Sequence, residues 1–147
     1  MRYEVSATAR IPASAQVTYG IIADYRVGHP RILPPEFSGL VVEKGGVGAG
    51  TVISFHMRVM GRLHSYRAEI SEPEPGRRLV EAYLEPAGTV TTFLVDPAGA
   101  GECDVTITTE MPSREGISGV VERWLSGRLL RSIFRHELQL LAAVAKG

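Results

Sequence analysis

Cysteine occurs once, at Cys103, so an internal disulfide is excluded and the core must hold without one. Neither sign of charge is in excess: sixteen Lys and Arg balance sixteen Asp and Glu. That balance argues against nucleic acid as the main partner, because contact with phosphates needs a basic surplus. Arg114, Arg123, Arg128, Arg131 and Arg135 give the last segment a basic edge, but Glu115, Glu122 and Glu137 are interspersed, as on a solvated helical face. No apolar run approaches the ~20 residues of a membrane span, and Met1-Arg2-Tyr3-Glu4 has no signal-like apolar core. The expectation is a soluble, cytoplasmic protein without integral membrane association or nucleic acid. Four histidines and one cysteine show no metal-ligand spacing, so no metal is expected. The glycines from Gly45 to Gly50 fit neither a phosphate-binding loop nor a dinucleotide fingerprint; they precede a strand and read as a turn and a bulge. No serine sits in a nucleophile elbow, which disfavours a hydrolase. No cofactor is implied.

What the sequence does have is alternation. In Thr51–Val59 the odd positions are mostly apolar, and after the turn at Met60-Gly61 the even positions of Leu63–Ile70 form the less polar set. A two-residue turn pairs Met57 with His64, Phe55 with Tyr66, Ile53 with Ala68 and Thr51 with Ile70; a slip of one residue would set Ile53 against Glu69. A turn at Ala87-Gly88 is expected to pair Val80 with Val95, Ala82 with Phe93 and Leu84 with Thr91, leaving Glu81 and Tyr83 outward unless a bulge reverses them. Cys103, Val105 and Ile107 then meet Val95, Phe93 and Thr91. The first strand puts Tyr3, Val5, Ala7, Ala9 and Ile11 on the same apolar face. The result is an antiparallel sheet wet on one side.

The cover for its dry side is the C-terminal segment. From Ser113 to Val144 there is no proline, and Ile117, Val120, Val121, Trp124 and Leu125 form one helical stripe. Leu130, Ile133, Phe134, Leu138, Leu141 and Val144 form a second. Ser126-Gly127-Arg128 separates them, and a glycine within a helix costs about 1 kcal/mol relative to alanine. The sequence therefore predicts a kink near Gly127, or a packing glycine where helix meets sheet. Pro12 and Ser14 mark the start of an earlier helix with Val17, Ile21 and Ile22 as its buried stripe and Tyr25 near its end. Gly28, Pro30, Pro34 and Pro35 then permit one short helix before the strand Gly39–Glu43. The order is strand, two short helices, six strands, long helix. With 147 residues the chain can bury about 68–70% of its unfolded surface, so one domain spanning 1–147 is expected.

This order is that of the α+β helix-grip fold, a curved seven-stranded antiparallel sheet around a long C-terminal helix. The chain resembles the START-like (SRPBCC) superfamily, and within it the polyketide cyclase/dehydrase-like group. The matching stretches are Ile11-Pro12-Ala13-Ser14, the glycine-rich Gly45–Thr51, Ser71–Leu79, Thr91–Gly99 and the last helix. The resemblance implies a deep, mostly apolar cavity between sheet and helix, used for lipids, hormones, polyketides or other hydrophobic molecules. It does not imply one reaction.

Inward parity selects the candidate residues. His64 is the inward side chain whose ordinary pKa lies nearest neutrality, and Tyr66, two residues on, can donate to a ligand oxygen; a proton shuttle beside an oxygen stabiliser is what a cyclase needs. The pair equally suits a polar spot that orients a ligand, or a rim exposed to solvent. Ile53, Phe55, Met57, Tyr66, Ala82, Thr91, Phe93, Ile107, Trp124 and Ile32 are the expected ligand contacts. His56, Arg58 and His136 are read as surface residues. His29 is read as an exposed histidine of a capped turn, with contact to a ligand, alongside Tyr25 and Ile32, as the alternative. Three functions stay open: a hydrophobic small-molecule binder, a polyketide aromatase/cyclase using His64 and Tyr66, and a ligand-regulated protein-interaction module. A portal is expected between Trp124 and Leu125 on one side and Ile32 and Leu33 on the other, because glycines and prolines weaken both walls.

Overall fold

The computed structural model describes the chain except residues 1, 60, 86 and 113–115 and, along the last helix, the side chains of 116–126. Strand β1 (Arg2–Ile11) leads to helix α1 (Ala15–Ala23), a short helical turn (His29–Ile32) and strand β2 (Phe37–Lys44). Strands β3 (Val52–Val59), β4 (Arg62–Glu74), β5 (Arg78–Glu85), β6 (Ala87–Pro97) and β7 (Cys103–Pro112) follow, then helix α2 (Gly116–Lys146). The seven strands form one antiparallel sheet in the order β1-β7-β6-β5-β4-β3-β2. This is the expected helix-grip fold.

The β3–β4 register is the one the alternation demands, with Met57 opposite His64, Phe55 opposite Tyr66 and Ile53 opposite Ala68. Between β6 and β7 the expected faces hold but the pairing slides by two residues, to Val95 with Val105, Phe93 with Ile107 and Thr91 with Thr109. The strands simply run on to Pro97 opposite Cys103, and the Ala98 N–H donates to the Glu102 carbonyl across a shorter loop.

Strand β5 departs from expectation. Leu79 faces Phe93 and Glu81 faces Thr91, whereas Leu84 pairs with Ala87 beyond a register shift after Ala82. Because the side-chain period is two, that irregularity exchanges the faces of the strand. Leu79 and Glu81 are buried, Tyr83 turns inward beside them, and Leu84 is exposed. Ala82, expected inward, pairs with Val90 on the outer side.

Helix α1 begins where expected: the Ser14 hydroxyl accepts from the Val17 N–H at 3.1 Å, satisfying one free donor of the first turn. Its buried face is rotated, however. Val17 is 51% exposed, and Thr18, Tyr19, Ile22 and Ala23 are buried instead. Tyr19 fixes this phase by donating its hydroxyl to Glu72 at 2.7 Å.

Helix α2 lies over β1 and the short helical turn. It runs through Gly127 as one continuous helix, and of the two expectations for that glycine, a kink or a packing contact between helix and sheet, its surroundings fit the second. Gly127 is buried facing Val5, and an added Cβ would stand 3.8 Å from that side chain, an ordinary contact. Of the second stripe, Ile133, Phe134, Leu138 and Leu141 are buried and Leu130 and Val144 partly so. The first stripe, including Trp124 and Leu125, lies outside the described residues. Glu137 was expected on the solvated face; it is 3% exposed and points into the protein.

Candidate functional site: a cavity and a buried acid cluster

The sheet and α2 enclose a cavity of about 550 Å³. Phe37, Met57, Tyr66, Tyr83, Leu130 and Phe134 are among the residues of its wall. The aromatic side is continuous: Phe55 and Tyr66 stack with centroids 5.5 Å apart, and Tyr66 meets Tyr83 edge-on at 5.3 Å. Burial raises the Tyr66 hydroxyl above its ordinary value. Tyr83 is pushed up further, by burial first and by nearby Glu81 second. Both phenols are therefore neutral donors at neutral pH.

His64 and Arg62 are exposed residues that also line the cavity, so the mouth lies at the start of β4. The His64 ring is 6.2 Å from that of Tyr66. His56 hydrogen-bonds Ser65 at 3.0 Å on the outer face, as expected.

The other expected contacts divide. Met57 and Tyr66 line the cavity, while Ile53 and Phe55 line a smaller void beside it. Thr91, Phe93 and Ile107 are buried on the same face of the sheet without bordering either space. Ile32 is wholly buried, and Trp124 lies outside the described residues. Ala82 belongs to the outer side through the β5 reversal. The portal expected between Trp124 and Leu125 on one side and Ile32 and Leu33 on the other falls in part on side chains outside the described residues; among the described residues, the exposed lining residues lie at the β3–β4 hairpin and Pro112.

Beneath the aromatic wall sits a polar cluster that strand parity missed. His29 is 3% exposed, not a solvated turn residue. Its Nδ1 lies 2.7 Å from the Ile22 carbonyl. A carbonyl only accepts, so Nδ1 carries the proton and Nε2 presents a lone pair. Nε2 faces two buried carboxyls, Glu81 at 3.8 Å and Glu137 at 3.9 Å. The Tyr25 hydroxyl donates to Glu81 at 2.5 Å, and its ring stacks on His29 at 4.3 Å. Burial drives every titration here toward the neutral form: His29 down to about 4, Glu81 up to about 7 and Glu137 well above the usual carboxyl range. Beside them Thr91 and Thr109 share a hydrogen bond of 2.7 Å, and Thr109 borders the cavity.

Gly28 makes this cluster possible. A Cβ there would lie 2.6 Å from the Ile21 carbonyl oxygen, so only glycine lets the chain fold back onto the end of α1 and deliver His29 to Ile22. Gly28→Ala should destabilise the protein by about 1–3 kcal/mol, the range for overpacking. Chemical denaturation checks this, and unchanged stability would show that the close approach relaxes freely.

Comparison with known proteins places this geometry. No curated protein matches the chain. Among solved structures, KanY is 26% identical, with each chain covered essentially throughout (100% of this one, 99% of that one) and a TM-score of 0.88. The aromatase/cyclase Zhui from Streptomyces sp. R1128 is 16% identical at a TM-score of 0.70, covering 99% of this chain and 92% of that one. Norcoclaurine synthase from Thalictrum flavum, solved with dopamine and hydroxybenzaldehyde, is 18% identical at a TM-score of 0.71, covering 97% and 88%. The last two likenesses establish the fold alone. The family described as polyketide cyclase/dehydrase and lipid transport matches residues 2–146. With the helix-grip sheet and helix in place over that whole span, the chain belongs to the polyketide cyclase/dehydrase and lipid transport family.

Proposed function

We propose that this protein binds a hydrophobic small molecule, of lipid, polyketide or aromatic type, in the cavity between sheet and α2. The observation that carries the reading is the cavity itself: about 550 Å³, walled by aromatic and aliphatic side chains with a few phenol and threonine hydroxyls and with Arg62 and His64 at its mouth. Cavities of roughly 300–1,000 Å³ with few placed polar groups are the usual form of small-molecule sites. Tyr66 and Tyr83 orient a ligand oxygen, and the apolar wall supplies affinity. No helix among the described residues is long and apolar enough to cross a membrane.

Native mass spectrometry of the purified protein tests this, with Val59→Trp as the partner experiment because Val59 lines the cavity. The expected result is a retained apolar molecule in the wild type and its loss when the indole fills the space. Retention by both would move the ligand elsewhere. The second reading, a cyclase or aromatase, has support in His64 and Tyr66 adjoining at the mouth. It requires turnover of a poly-ketone substrate that His64→Ala abolishes.

A further inference from the structure

The buried His29 imidazole and Glu81 carboxyl border a space that the proposed function does not use, and a second buried carboxyl, Glu137, stands 3.9 Å from the same imidazole nitrogen. The void between His29, Phe37, Leu40, Phe55 and Glu81 measures about 20 Å³, room for a single water-sized group. The separations from Nε2 to Glu81 and Glu137, 3.8 and 3.9 Å, are too long for hydrogen bonds and leave a gap that a small donor can bridge. Each of the three groups can accept here, Nε2 through its lone pair and each carboxyl through an oxygen, and the Tyr25 hydroxyl donates to Glu81. The titratable groups around the gap are Tyr25 and His29 after α1, Glu81 and Tyr83 on β5, and Glu137 on α2. Among the described residues no lysine or arginine pairs with either carboxyl. The same convergence carries aromatic faces: Tyr25 stacks on His29, and Phe93 meets it edge-on at 5.5 Å.

We propose that His29, Glu81 and Glu137 form a subsite for the protonated amine of a ligand whose apolar body occupies the main cavity. An ammonium brings three N–H donors to three acceptors, and aromatic rings favour a cation beside them. Phe37 lines both the cavity and the void, so the two spaces adjoin at this ring. Among the described residues, no trio of His, Cys, Asp and Glu has the geometry to hold a metal ion, which sets an ammonium apart from a divalent cation. Glu81 and Glu137 hold protons when the subsite is empty; on binding, one carboxyl releases its proton to solvent, becomes a carboxylate and pairs with the ammonium, which keeps its own proton. Binding of the amine therefore strengthens as pH rises toward the titration of Glu81, about 7, and levels off above it.

This inference rests on the cavity reading, and the test separates the two. Isothermal titration calorimetry with phenylbutylamine and its neutral counterpart phenylbutanol, each in two buffers of different ionisation enthalpy, measures affinity and proton release together. At about pH 6, below the titration of Glu81, the amine should bind more tightly and release about one proton, while the alcohol should release none. In Glu81→Gln/Glu137→Gln the amine should weaken by roughly ten- to a hundredfold, the loss of charge-assisted hydrogen bonds, and the alcohol should change little. Equal affinity of the two probes, or amine binding without proton release, overturns the amine subsite while leaving the cavity reading intact. Binding of neither probe overturns both, and a stoichiometric metal ion in the purified protein overturns the ammonium assignment.

Discussion

Glu81→Gln should make the protein more stable at alkaline pH, although it alters a buried residue that makes a hydrogen bond. In the folded state Glu81 keeps its proton to about 7, chiefly because burial disfavours the carboxylate; the ordinary value is 4.5. The unfolded chain gives the proton up at the ordinary value, so the folded state is penalised increasingly as pH rises between the two. The penalty is absent below the ordinary value and complete above the folded one, at about 3 kcal/mol. Glutamine has no proton to lose and still accepts from the Tyr25 hydroxyl. The two proteins should match near about pH 4 and differ by about 3 kcal/mol near about pH 8, the variant being the more stable. Glu137 is shifted in the same direction, so its own glutamine variant should show the same sign. His29 acts oppositely: its fall from 6.5 to about 4 makes the folded state lose stability as pH drops through that range, and Glu81→Gln leaves this acid limb in place. Urea midpoints across pH decide the matter, and parallel curves for wild type and variant would contradict it.

Phe93→Ala should be among the most damaging single changes. Phe93 is 2% exposed, pairs with Leu79 and Ile107 in the middle of the sheet, and supports the His29 ring edge-on. Truncating a buried phenylalanine costs about 3–5 kcal/mol through lost transfer energy and the void left behind. At roughly 2–4 °C per kcal/mol for a chain of this size, the melting temperature should fall by about 10 °C. A loss below about 1 kcal/mol would place Phe93 in a site able to collapse.

How much of this was legible depended on what each strand had at its ends. The β3–β4 register could be read because Gly61 marks the turn and the wrong pairing sets Ile53 against Glu69. On β5 the composition is ambiguous: Val80, Ala82 and Leu84 are as apolar as Leu79 and Tyr83, so alternation gave no warning that the register shifts after Ala82. That one shift moved Glu81 inward and hid the acid cluster. Glu137 carried a usable signal, since it shares the helical phase of Ile133, Phe134, Leu138 and Leu141 and stands four residues after a core isoleucine. Reading charge as solvation set that phase aside. His29 depended on a contact between Gly28 and the Ile21 backbone, which no local pattern encodes. Phe37 and Thr109 reach the cavity from opposite halves of the sheet, and only the closed fold brings them together.

The claim that a hydrophobic ligand fills the main cavity is tested most directly by methyl NMR. Met57 and Val59 on β3, Met111 on β7 and Leu130 on α2 line that space, whereas Val17, Val41 and Leu84 are exposed elsewhere. Titration with an apolar aromatic compound such as naphthalene should shift the first set together and saturate, leaving the second set unmoved. Shifts confined to the exposed methyls, or none in the cavity set at saturation of the compound, would contradict it.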